Sequence, residues 1–252
     1  MTVIGRIRAA VKTDLPFIHD WLVLEARDGQ GFIHNWHLIE KALDEGEMTV
    51  FTDVGGSVGF LTYGISPSSI LQVRSDLQGQ GIGRALVEDA IRREEALNNA
   101  VLVVQCEPKS SVEFWASMGF EVHRNIGYSD HQDNAYMQRL SKIRHENVRG
   151  DDLEMISIRV YPNSILYNDS GKGMPDRVYY TMARLNADNR TLELARRVSV
   201  ANEPMLQDPV VEICWYGQIF IGKAKHSEAT TIGLKLTPNH YGWYLDVINL
   251  PD

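Results

Sequence analysis

Cysteine is nearly absent: the 252-residue chain has two, Cys106 and Cys214, far apart and without metal-type spacing. A disulfide framework and a zinc site are excluded as organising features, no metal is expected, and a reducing cytoplasm is the expected compartment. No apolar run approaches the roughly 20 residues of a membrane helix. The start MTVIGRIRAAVKTD lacks the apolar core of a signal peptide, so no membrane partner is expected. Positive charge is short as well, with 25 Lys and Arg against 33 Asp and Glu, a net charge of −8. Nucleic-acid binders displace counterions with clustered basic residues, and the densest pairs here, Arg92-Arg93 and Arg196-Arg197, stand isolated. Nucleic acid is therefore not an expected partner, and a local basic patch remains open.

What is present divides the chain in two. GRIRAAVKTDLPFIHDWLVLEAR reads as a strand, an N-cap at Thr13 or Asp14, and a helix with Pro16 in its first turn and Ile18, Trp21, Leu22 and Leu24 turned inward. A second helix is expected over His34 to Leu43. EMTVFTDVGGSVGFLTYGIS alternates as two strands about Val54-Gly55-Gly56, a hairpin signature. SILQVRS is a further strand, GIGRALVEDAIRREEAL a helix burying Ile82, Leu86, Val87, Ala90 and Ile91, and strand AVLVVQ, helix SSVEFWASM and strands GFEVHR and NAYMQRL follow. SKIRHENVRGDDLE is polar and aperiodic, the expected composition of a linker. Beyond it come strand-like runs separated by Gly, Asn, Asp and Pro. The expected fold is α+β: a mixed sheet flanked by helices over residues 1–140, a linker over 141–154, and an antiparallel sandwich or barrel over 155–252.

Three glycines, Gly79, Gly81 and Gly83, fall within LQGQGIGRAL, where a strand turns into a helix. Such a turn leaves backbone N–H groups without intrahelical partners and removes the Cβ atoms that keep an anion away. It can hold a phosphate, aided by the helix dipole, although glycines at such junctions also serve plain tight turns. Walker A chemistry is excluded because no Gly-Lys-Ser/Thr follows. A dinucleotide fingerprint fits poorly, because the loop follows an antiparallel hairpin rather than opening a parallel βαβ unit.

Gln78-x-x-Gly81-x-Gly83-Arg84-Ala85-Leu86, preceded by ILQV and followed by SSVEFWASMGFEV, resembles the GNAT superfamily of acyl-CoA-dependent N-acyltransferases. The resemblance covers residues 3–140, and its specific portion is 70–122. It implies that Leu71, Gln72 and Val73 offer backbone groups to the pantetheine arm of acetyl-CoA. It also implies that Gln78, Gly79, Gln80, Gly81, Ile82, Gly83 and Arg84 cradle the pyrophosphate. Arg84 has an equal reading as a solvated arginine. The implied activity is direct acetyl transfer to a primary amine of a small molecule or protein.

This chain departs from the family where proton transfer is concerned. Pro108 stands where many relatives have Asn, and Trp115 where they have the Tyr that serves as proton donor to sulfur. Indole N–H is not a usable acid, so Trp115 is expected to pack against the cofactor arm and the core. Glu25, Asp28, His34 and His37 are the candidates for general base, each with a reading as a solvated residue, while Tyr63 and Tyr128 are candidates for reaching the acceptor. Cys106 is set aside as a buried thiol. The C-terminal aromatics Trp215, Tyr216, Phe220, Tyr241, Trp243 and Tyr244 are expected to be mostly core, with an outer subset available to a partner or to a second copy in a homodimer. An acyl-CoA-binding sensor or inactive scaffold acting through the C-terminal domain is the alternative function.

Overall fold

The computed structural model describes residues 5–27, 29, 31–123, 135–150, 152–167, 173–186, 190–203, 206, 208–225 and 228–250. Two compact units make up the chain: Met1–Leu97 with Val103–Phe120, and Asn98–Leu102 with Glu121–Asp252.

The first unit opens with β1 (Arg6–Ala9), α1 (Leu15–Ala26) and α2 (Trp36–Asp44), followed by β2 (Met48–Asp53) and β3 (Gly56–Thr62). Then come β4 (Leu71–Val73), α3 (Ile82–Ala96), β5 (Val101–Cys106, whose first two residues belong to the second unit) and α4 (Val112–Ser117). Strands β1 to β4 form an antiparallel sheet in sequence order. The β2–β3 hairpin turns where the glycines require it, and the Gly55 N–H donates to Asp53 Oδ1 at 2.7 Å.

On α1 the buried positions are Ile18, Trp21, Leu22 and Glu25, the i, i+3, i+4, i+7 stripe of a helix lying on a sheet. Leu24, expected inside, is 56 % exposed, because it lies off that stripe. Asp14 does not cap α1 through its side chain. Its buried carboxylate instead accepts from Arg8 (2.7 and 2.7 Å), Ser57 Oγ (2.6 Å) and the Val11 N–H (2.8 Å), tying β1 to β3. On α3, Ile82, Leu86, Val87, Ala90 and Ile91 are all buried, the face read from the sequence. Each such side chain removed from water contributes about 1.5–3 kcal/mol.

In the second unit, β6 (Glu121–Val122) pairs antiparallel with β7 (Ala135–Leu140). The larger sheet comprises β8 (Glu154–Tyr161), β9 (Arg177–Asn186), β10 (Thr191–Ala201), β11 (Val210–Trp215), β12 (Gln218–Lys223), β13 (Lys235–Leu236) and β14 (Gly242–Asn249). Its order is β12-β11-β8-β9-β10-β14-β13, every pairing antiparallel, and it curls as an open half-barrel. Alternate residues of β8 (Ile156, Ile158, Val160) meet Leu192, Leu194, Val211, Ile213, Trp243 and Leu245 in its core. The run TTIGLKLT, expected as one strand, begins in the short helix α5 (Glu228–Thr231) and pairs only over the two residues of β13.

The polar stretch read as a linker is in part bonded to this unit. The Ser141 N–H donates to Ala100, His145 to Ala195, and Arg197 back to the Ile143 carbonyl. Ser141 and Val148 are buried. No helix among the described residues is long and apolar enough to cross a membrane.

Candidate active site

A cleft of about 980 Å³ opens in the first unit, between β4 with its following turn and the end of β5 with α4. Its existence follows from topology: β4 is the last strand of the four-stranded sheet and does not pair with β5. The ladder decides which of its backbone groups are available. Thr62 N–H donates to Ile70 at 3.0 Å and Arg74 N–H to Val58 at 2.9 Å, and Gln72 stands opposite Phe60. Alternate residues of an antiparallel strand turn both backbone groups to the same neighbour. Gln72 is therefore bonded to β3, while Leu71 and Val73 turn theirs to the open edge. This corrects the expectation that all three present backbone groups outward. Val73 already accepts from Gln78 Nε2 at 3.1 Å.

The side chain of Gln72 has a different task. Its Nε2 donates to Glu25 Oε2 at 2.5 Å and its Oε1 accepts from the Phe32 N–H at 2.9 Å. The other oxygen of Glu25 accepts from the Ser75 N–H at 2.5 Å. Glu25 and Gln72 are both 8 % exposed. Together they brace the end of α1 and the residues before α2 against β4 and the turn at Ser75–Leu77. This brace is a role for Glu25 and Gln72 different from the base and the backbone donor expected from the sequence. A glutamine amid the apolar residues of ILQV was its one visible signal.

Beyond that turn the chain passes through Gly79 (φ +74°) and Gly81 (φ +86°) and enters α3. The left-handed region favours glycine at both, and a Cβ at either would meet no protein atom within 4 Å. The space beside them is open and belongs to the cleft wall. The first helical backbone bond runs from the Ala85 N–H to Gly81, so the N–H groups of Ile82, Gly83 and Arg84 lie in the first turn, where a helix offers donors. Gly83 is under neither constraint: a Cβ there would meet Phe114 and Val73 at 3.7 Å, an ordinary van der Waals contact. Arg84 lines the cleft, with Nη2 on Ser117 Oγ at 3.2 Å and Nη1 at 3.8 Å from Glu88. A loop with donors, open space and a nearby guanidinium suits a phosphate.

On the opposite wall Trp115 is 6 % exposed and meets Phe114 and Phe120 edge to face, with centroids 5.3 and 5.1 Å apart. Its contacts are thus with aromatic residues of its own segment. Cys106 is fully buried and burial pushes its thiol above the ordinary value, which suits an inert thiol.

The structure brings Glu25 to the cleft and does not bring Tyr63 there. The Tyr63 hydroxyl donates to Glu45 Oε2 at 3.0 Å, and desolvation and Glu45 hold the phenol above its usual range. His34 and His37 are exposed and also stand away from the residues lining the cleft. Tyr128 and Asp28 lie outside the described residues, and Gln80 is exposed. Among the described residues no cluster of metal-ligating side chains occurs.

Comparison with known proteins bears on this cleft. Residues 30–140 match the family model described as an acetyltransferase (GNAT) domain, and no family model covers the C-terminal part. No curated protein matches the chain. Among solved structures, it is similar to a GNAT-family acetyltransferase from Listeria monocytogenes 4b F2365, at 16% identity over 55% of this chain and 95% of that one, with a TM-score of 0.42. It is similar to the ribosomal-protein-alanine N-acetyltransferase from Brucella melitensis, at 24% identity over 54% and 99% of the two chains, with a TM-score of 0.41. The ribosomal-protein-S18-alanine N-acetyltransferase from Escherichia coli is matched at 19% identity over 58% and 100%, with a TM-score of 0.37. The glycine turn and the open edge of β4 both lie inside the residues 30–140 that match the GNAT acetyltransferase domain.

Proposed function

We propose that the cleft binds acetyl-CoA and that the domain transfers its acetyl group to a primary amine. The observation that carries this reading is the pairing of two features in one cleft: a first helical turn behind Gly79 and Gly81 with nothing where their Cβ atoms would be, and a strand edge at Leu71 and Val73. The turn suits the pyrophosphate and the edge suits the amide-bearing pantetheine arm, which would add to β4 as a further strand. Trp115 and Phe114 would flank the arm.

In the reaction, the neutral amine attacks the thioester carbonyl carbon, the C–N bond forms, the C–S bond breaks, and the departing thiolate takes up a proton as the amine loses one. Positioning and stabilisation of the oxyanion are the protein's main contributions, and β4 backbone N–H groups are the donors available at the edge. Glu25 is among the expected general bases, and Tyr63 and Tyr128 are the side chains expected to reach the acceptor. Glu25 is the one that lines the cleft, and with both oxygens accepting from the protein we assign it a positioning role. Acetyl-CoA incubated with protein and a panel of small amines and peptide N-termini should release free thiol in an amine-dependent manner, with acetylated amine appearing in equal amount.

A second reading, an acyl-CoA-binding sensor without turnover, is favoured by the buried indole of Trp115 where the family's phenol is expected. In that case CoA raises the melting temperature while no amine in the panel yields thiol.

A further inference from the structure

The segment 144–149 runs beside β9 and β10 in the second unit and borders a groove of about 370 Å³, within the size range of small-ligand pockets. Arg144, Arg149 and Arg196 line it together with Tyr180 and Met182. Arg144 and Arg196 are partners in an isolated antiparallel bridge. Their side chains therefore leave the same face at adjacent positions, and like charges set directly opposite disfavour such a pairing.

Neither guanidinium is neutralised by an ion pair among the described residues. Glu146, the acid of the groove, is taken by Arg149, and His145 by Asp246 at 2.9 Å. The next residue in the chain supplies the contrast. Arg197, on the other face of β10, is 5 % exposed and holds Asp246 at 2.6 and 2.9 Å, beneath Tyr244 at 4.4 Å. The pair Arg196-Arg197 is thus split between a buried arginine ion-paired to Asp246 and a surface one set beside another arginine. On a chain of net charge −8, two unpaired guanidinium groups side by side are an arrangement that an anion relieves. Tyr180, 70 % exposed, and Met182, 38 % exposed, add apolar surface next to them.

We propose that this groove is an oxyanion site, taking a phosphate monoester or a carboxylate carried on a small aromatic or apolar body. Arg144 and Arg196 hold the oxyanion, and Tyr180 and Met182 cover the body. The site is independent of acyl transfer in the first unit. The test uses full-length protein labelled with ¹³C-methyl methionine, the Met182 signal assigned through Met182→Leu, and titrations with phenyl phosphate and with benzoate at constant ionic strength. The Met182 methyl should shift saturably with at least one of them, and the arm with the lower midpoint identifies the oxyanion. The methyl of Met48, buried in the first unit, should hold still. Arg144→Gln with Arg196→Gln, both at exposed positions, should raise the midpoint about tenfold or more, as loss of two charge-assisted bonds implies. Lys142→Gln, outside the groove, should leave it unchanged. A Met182 signal that moves with neither compound, or moves with the same midpoint in the double variant, overturns the proposal.

Discussion

Gly81 separates the requirements of the fold from those of a ligand. Its φ of +86° is one that asparagine also tolerates, and no protein atom lies within 4 Å of a Cβ placed there. Gly81→Asn should therefore fold with a nearly unchanged melting temperature, yet lose about tenfold or more in CoA affinity if the open space is the pyrophosphate's; calorimetry on the folded variant checks this. Trp115 makes the complementary case. As a packing residue it should tolerate Trp115→Phe with turnover kept within about threefold and CoA affinity lowered by less than about tenfold, the scale of one aromatic contact. A turnover loss of about 10²-fold with CoA affinity intact, the scale of general-acid catalysis, would give the indole a chemical role.

The strand β4 and its turn are held by Glu25 and Gln72 more than by their own length. Glu25→Gln puts an amide N–H₂ where either Ser75 N–H or Gln72 Nε2 donates, leaving buried donors facing each other at a cost of about 1–3 kcal/mol. Urea unfolding should register that loss together with weaker CoA binding. Unchanged stability, with the acidic limb of the pH–rate profile altered, would make Glu25 a base instead. The stripe of α3 and the β2–β3 hairpin were legible in the sequence, because hydrophobic spacing and adjacent glycines are local signals. The glycine turn was legible for the same reason. The brace was not, because Glu25 and Gln72 meet across 47 positions of sequence, and a buried glutamate on a helix reads as solvent-facing until the strand that donates to it is in place. Asp14 misled in a similar way: a carboxylate at a helix start reads as a cap, and only β1 and β3 reveal Arg8 and Ser57 as its partners. The two residues of β13 fell below what alternation can register.

Across the whole chain, the second unit carries its own electrostatic latch. Burial by itself would push the Asp246 carboxyl up, but Arg197 and His145 hold it below the ordinary carboxylate value. A depressed folded-state value adds stability above the unfolded value, near 3.9, and that stability is lost as pH falls through the folded one. The stability difference between wild type and Asp246→Asn should hence be constant above about pH 5 and narrow below about pH 4; a difference independent of pH down to acid unfolding would contradict the latch. The stretch 141–148 should show slowed amide exchange at Ser141 and His145, whose N–H groups are bonded to Ala100 and Ala195; a free linker would exchange at open-chain rates. The central claim, that the cleft of the first unit is an acetyl-CoA site, is tested most directly by titrating CoA into the full-length protein and into Gly81→Asp in a calorimeter. CoA should bind the wild type saturably and one to one, and the added bulk and like charge should abolish binding in a variant that remains folded. No heat in the wild type, or equal affinity in the two proteins, would contradict it.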